Sequence, residues 1–287
     1  MKISTEIASA AKHVGMEKAI ELVAAAGFDC WDFSLFDMAR YSWAKGCVIE
    51  NGSPLRSSEY AAFAKRLRHI GESLGITCNQ SHAPFPVYVP AVMDMQKRAI
   101  ECTALAGGSI CVIHPDNNKC AEENAEMYLT LLPFAKEHGV RIATENMFNW
   151  TREEGHALPA ACSHHEDFKR HLDLIADPYF VACVDIGHGE MKGLDTSAEQ
   201  LIRTLGPYVQ ALHIHDNNRV EDSHQIPFSM KIDYAPITRA LKDIGYAGEL
   251  TLECDTYLNT FSDETVGAGL KNMARAARRF EAMLLEA

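Results

Sequence analysis

A chain of 287 residues with 47% apolar and 23% charged side chains has enough apolar material for one large core, which excludes an intrinsically disordered protein. Its net charge of −12 argues against a nucleic-acid surface, because neutralising phosphates takes clustered Lys and Arg. The apolar runs are short and broken by charge, and the opening MKISTEIASAAKH lacks the continuous apolar stretch of a signal peptide or membrane span, so a cytoplasmic protein is expected.

From the N-terminus onward, a short β-branched run, a polar turn and an amphipathic helical pattern recur. Strands are predicted to begin near Lys2, Phe28, Ile76, Ser109, Arg141, Phe180, Val209 and Glu249, with helices at 16–26, 58–74, 91–106, 121–138, 164–176, 197–205, 235–244 and 263–285. Gly27, Gly75, Gly107, Gly139, Gly206 and Gly245 sit just past helices, where C-caps belong. Strands this short and apolar, alternating with helices, imply a parallel sheet covered by helices. No GxGxxG follows the first strand, which favours a closed (β/α)8 TIM barrel over an open doubly wound sheet. Barrels of this length commonly form a single domain, here residues 1–287. The nine cysteines include no CxxC pair and read as reduced core thiols. The apolar stripe of the last helix suits packing on the first strand or a contact within a homo-oligomer.

In such barrels chemistry sits where strands lead into the following helices. The third strand ends in Ser81-His82-Ala83-Pro84-Phe85, the fourth in Ile113-His114-Pro115-Asp116 and the fifth in Thr144-Glu145-Asn146. The sixth ends in Val184-Asp185-Ile186-Gly187-His188, the seventh in His213-Ile214-His215-Asp216 and the eighth in Leu252-Glu253-Cys254. A lone His or Glu at a strand end is usually a hydrogen-bonded structural group. Three converging carboxylates with several imidazoles repel and resist desolvation, so they call for a compensating cation. Glu145, Asp185, Glu253 and one imidazole make a mixed oxygen and nitrogen set suited to a divalent metal ion: Mn, Zn, Co or Mg. His213 and His215 alternate onto the same barrel face, so either could complete it.

The ordered strings SHAPF, VIHP, TEN, VDIGH, HIHDNN, DSH and LEC resemble the xylose isomerase-like barrels, a superfamily of sugar-phosphate isomerases and epimerases, ketose 3-epimerases and zinc-dependent apurinic endonucleases. The resemblance covers roughly residues 76 to 253. It implies a metal held by Glu145, Asp185, His213 and Glu253, with His213 opening the HxxD string. In the endonuclease branch it implies further metals on His82 and His114 with Glu145, and on His188, Asp222 and His224. One departure is visible: where family members carry a Pro-Gly-x-Gly turn, this chain has Pro227-Phe228-Ser229-Met230, which should reshape that loop and compromise the last of these clusters.

The expected function is a metal-dependent isomerase or epimerase of a small carbohydrate, acting through an enediolate, with Glu145 and Glu253 as paired bases. His82, His114, His188, Arg219 and His224 are the expected substrate-binding groups, the bland alternative for Arg219 being a solvated loop residue. Loops 34–55 and 149–163 carry Trp43 and Trp150 as candidate apolar walls for a sugar face. Acidic residues interleave with Arg40 and Arg152 in these loops and with Arg56 just past the first, so no clean phosphate track for a nuclease emerges. A noncatalytic sugar-binding barrel is the third reading.

Overall fold

The computed structural model describes all 287 residues. All eight predicted strands form: β1 (Ile3–Thr5), β2 (Cys30–Ser34), β3 (Thr77–His82), β4 (Ile110–Val112), β5 (Arg141–Glu145), β6 (Phe180–Asp185), β7 (Val209–His213) and β8 (Leu250–Leu252). Strands β2 to β7 make one curled parallel sheet in sequence order, and β1 pairs with β8 from Ile3↔Leu250 to Thr5↔Leu252. Single parallel bridges, Glu6↔Asp32 and Ile214↔Leu252, join this pair to both edges of the sheet and close the ring. The predicted barrel therefore forms, and the open sheet does not.

Alternation along each strand fixes what the barrel encloses. Ala143 shares a face with Glu145, Cys183 with Asp185, and Ala211 with His213. The small residues of these pairs belong to a separate apolar cluster with Ile110, Val112 and Val181. The polar partners one step further along form a ring at the strands' carboxyl ends. Between strands and helices lies the main core, a cluster of 61 buried residues. The helix Val266–Glu286 packs on β1, β8 and the helix Met16–Ala26, the first of the two placements its stripe suggests. No helix is long and apolar enough to cross a membrane.

The helix predicted over 91–106 is broken into Pro90–Met93 and Gln96–Ala106. Buried Gln96 turns its side-chain amide onto the carbonyls of Pro84 (2.8 Å) and Val92 (3.1 Å), occupying an acceptor that a continuous helix would use for its backbone. A helix at Ala8–Val14 and two small hairpins, Tyr41–Ser42 with Cys47–Val48 and Asn149–Trp150 with Ala157–Leu158, are additional to the predicted elements. All nine cysteines are free, and only Cys47 and Cys120 are exposed.

Candidate metal centre

Four strand ends bring Glu145, Asp185, His213 and Glu253 together, with potential ligand atoms all within 4.8 Å of one another. His213 Nδ1 lies 3.2 Å from a carboxylate oxygen of Glu145 and 3.2 Å from one of Glu253. On one side, His82 and His114 approach to 2.7 Å through their Nε2 atoms, and His114 reaches Glu145 at 3.2 Å. On the other, His188, His215, Asp222 and His224 form a second group. There His224 Nε2 is 2.9 Å from Asp222, and His215 stacks on His224 with ring centroids 3.9 Å apart.

Strand alternation left His213 and His215 equivalent, and both do point inward. They differ in neighbours: His213 faces Glu145 and Glu253, whereas His215 Nε2 lies 3.1 Å from Asp185 and 3.6 Å from Asp222. The loop expected to suffer from its missing glycines still delivers Asp222 and His224. Phe228 adopts φ +70°, packing against Tyr234 and beneath the Arg279 guanidinium, while the Asp216 carboxylate accepts the amides of Met230 and Ile232.

Burial would raise the carboxylates, yet the charge of His213 and hydrogen bonds from His114 and His213 hold Glu145 well below its usual range. Glu253 is held down in the same way by His213 and His82. Burial disfavours charge on His188 too, but Asp185 and Asp222 outweigh it and drive the ring up to about 10. The site thus demands positive charge, drawing it from imidazolium rings. Buried oxygens of Asp185 and Asp222 nonetheless have no hydrogen-bond partner. Uncompensated buried carboxylate oxygens beside neutralisable imidazoles are the donor set a hard or borderline divalent cation fits. Cys183 belongs to one of the groupings, but burial pushes its thiol up to about 12, which leaves it a poor ligand.

Glu145, Glu253, His82, His114, His188 and the Asp222–His224 pair line a cavity of about 540 Å³, with Asp185, His213 and His215 outside its lining. Phe36, Phe85 and Phe148 wall it, with Trp43 at the exposed hairpin edge. Arg219 lies outside this lining. Its exposed guanidinium pairs with Glu190 at 3.1 Å and bonds the Glu190 carbonyl, so among the predicted substrate groups it is the one the fold turns away. Asn146 was missed: its side chain bonds both the amide and the carbonyl of Asp185, pinning the end of β6. Its place beside Glu145 in the TEN string was the available signal. Glu6 was missed as well, although it stands just past β1, where the strand-end rule would have found it.

Glu6 is buried and bonded to the Ser9 amide (3.0 Å) and the Ser9 hydroxyl, and burial pushes its carboxyl up to about 7 from an ordinary 4.5. A raised acid in the folded state stabilises the fold most below about 4.5, and that contribution is lost as pH climbs through about 7. Glu6→Gln in the metal-free protein is therefore expected to melt higher than the parent at pH 8, by an amount equivalent to roughly 3 kcal/mol, with the gain vanishing near pH 4. Calorimetric melts across that range check it, and a variant that melts lower at pH 8 would refute it.

The family model described as "xylose isomerase-like TIM barrel" matches residues 20–280. The chain belongs to the xylose isomerase-like TIM barrel family. Among solved members of this fold, a D-tagatose 3-epimerase-like protein superposes with a TM-score of 0.74 at 18% identity, covering 100% of this chain and 99% of the other. The IOLI protein, whose structure holds a binding zinc atom, gives a TM-score of 0.70 at 16% identity over 98% of this chain and 99% of its own. At such identities the likeness shows the barrel fold alone. An uncharacterized protein of Methanocaldococcus jannaschii is 25% identical over 193 residues, 60% of this chain and 62% of that one. The chain spans about three-fifths of the length of the curated relatives it matches.

Proposed function

We propose that the protein is a divalent-metal-dependent isomerase or epimerase of a small sugar or sugar derivative. The observation that carries this is the convergence of two carboxylates, Glu145 at the end of β5 and Glu253 just past β8, each 3.2 Å from His213 Nδ1 and both lining an aromatic-walled cavity. Glu145, Asp185, His213 and Glu253 would hold the cation, which supplies Lewis-acid stabilisation of the enediolate oxygen. The protein's own groups do the rest. Both glutamates are ionised at neutral pH and can accept a proton. One removes it from the carbon beside the carbonyl and the other returns it, which epimerises that carbon; transfer on one side exchanges aldose and ketose. His188, on the cavity wall, donates to a substrate oxygen. Phe36, Phe85 and Phe148 exclude water and offer an apolar face to the sugar ring. The likeness to a D-tagatose 3-epimerase-like protein and to the zinc-holding IOLI protein supports this reading.

The second group, His188, His215, Asp222 and His224, favours one alternative, a multi-zinc phosphodiesterase. Its loops do not supply a duplex surface: Arg40 is paired with Asp37 at 2.6 Å and Arg56 with Glu50 at 2.8 Å. Incubation of the Mn, Zn, Co and Mg forms with a panel of ketoses and aldoses in deuterium oxide decides among the readings. Deuterium entering one carbon with turnover is the expected result. Incision of an abasic-site duplex without sugar turnover would establish the phosphodiesterase, and metal uptake with neither activity a binding barrel.

A further inference from the structure

A buried polar chain runs through the barrel interior below the carboxylate cluster, and no part of the proposed reaction uses it. The Ser4 hydroxyl donates to Asn79 Oδ1 (2.7 Å), and the Asn79 amide to Thr251 Oγ1 (3.1 Å). Thr251 donates to Gln80 Oε1 (3.3 Å), and Gln80 Nε2 to Asp32 Oδ2 (2.9 Å). Asn79 can join because the β2–β3 register slips there: Trp31 pairs with Cys78 but Asp32 with Gln80, leaving Asn79 as the extra residue of a bulge. Every donor in the chain points the same way, toward Asp32. That carboxylate is 1% exposed, its other oxygen has no partner, and Oδ2 lies 3.7 Å from His213 Nε2.

We propose that Asp32 is a positioning residue that fixes His213 from inside the barrel, taking the Nε2 proton so that Nδ1 is the nitrogen presented to Glu145 and Glu253. The geometry leaves little choice of roles. A carboxylate at the end of a run of donors can only accept, so the imidazole atom facing it must carry hydrogen. Nδ1, 3.2 Å from both glutamates, faces carboxylates as well and carries hydrogen in the metal-free ring; a cation there would take the place of that hydrogen while Nε2–H stays with Asp32. Imidazole ligands are commonly held in this way by an outer carboxylate, which fixes ring and tautomer together. The inference rests on the metal reading above, and its test separates the two.

Asp32→Asn keeps the shape but places an amide that can donate to Nε2, which favours the opposite tautomer. Full-length parent and variant are stripped with chelator and titrated with Zn and with Co against a chelating dye. The variant is expected to bind about 10- to 100-fold more weakly. Its Co visible spectrum should shift, and its metal-free melting temperature should equal or exceed that of the parent, since a buried charge has been removed. Asp32→Glu should restore part of the affinity and the parental spectrum. A purely structural role would instead lower the metal-free melting temperature and leave affinity and spectrum unchanged; that result overturns the proposal. If Asp32→Asn does not fold, Asp32→Ser makes the same comparison, with the same two outcomes. Failure of the parent itself to bind either metal would overturn the metal reading and this inference with it, whereas equal binding by parent and variant overturns this inference alone.

Discussion

Glu145→Gln is expected to strip the protein of bound metal and to cut proton exchange at the substrate carbon by about 10³-fold or more. Glu145 takes part in three of the five groupings able to hold an ion, a share matched only by His213, so its loss touches most of them at once. It is 1% exposed at the end of β5 and lies within 3.8 Å of His82, His114, His188 and His213. The isostere preserves packing while deleting the charge and one acceptor. Elemental analysis of the purified variant, together with deuterium exchange followed by NMR, checks both halves. A variant that retains full metal and full exchange would remove Glu145 from the proposed chemistry. Glu253→Gln should lose exchange to a similar extent and less of the metal, because it belongs to two groupings.

The second large effect is structural. Gly187→Ala should destabilise the fold by roughly 1–3 kcal/mol and disorganise the second histidine group. A methyl at 187 would overlap the His215 ring, which lies flat on the glycine and is itself stacked against His224. The turn Ile186–Gly189 does not need glycine for its backbone; it needs the missing side chain. Nor can His215 retreat, because Asp185 and Asp222 hold one edge and Tyr234 bonds its carbonyl. Chemical denaturation with far-UV dichroism gives the stability. A stability equal to that of the parent would mean that the imidazole has another place to go.

Periodicity made the strands and most helices readable, because barrel strands are apolar on both faces and helices end at glycines. The helix Met16–Ala26 coincides with its prediction for that reason. The helix Ala8–Val14 was illegible because its run of small residues draws no apolar stripe, and the break before Gln96 depends on one side chain meeting two carbonyls. The ring of site residues was legible as strand ends. Which partner each finds was not, since His213 and His215 share a face and are told apart only by carboxylates from other strands. Asp32 reads in sequence as a polar residue inside an apolar strand, and its meaning comes from residues far along the chain. Arg219 shows the reverse. Its place after the HIHDNN string suggested the cavity, while its actual partner, Glu190, follows from a tertiary contact that no spacing announces.

The seam between β1 and β8 has a consequence for how the protein is made. Glu253 stands just past the last strand of the barrel, on the far side of that seam from Glu6 and Ser4. A nascent chain that has reached β7 already carries Glu145, Asp185 and His213, yet lacks both Glu253, the second of the proposed bases, and Thr251, the bridge of the buried polar chain. Nothing in the earlier strands can substitute for them, because the pairing Ile3↔Leu250 joins residues nearly the whole length of the chain apart. Closing so long a loop is entropically the costliest pairing in the fold and comes late. Chains cut short of β8 would thus carry the proposed site without its closing residues.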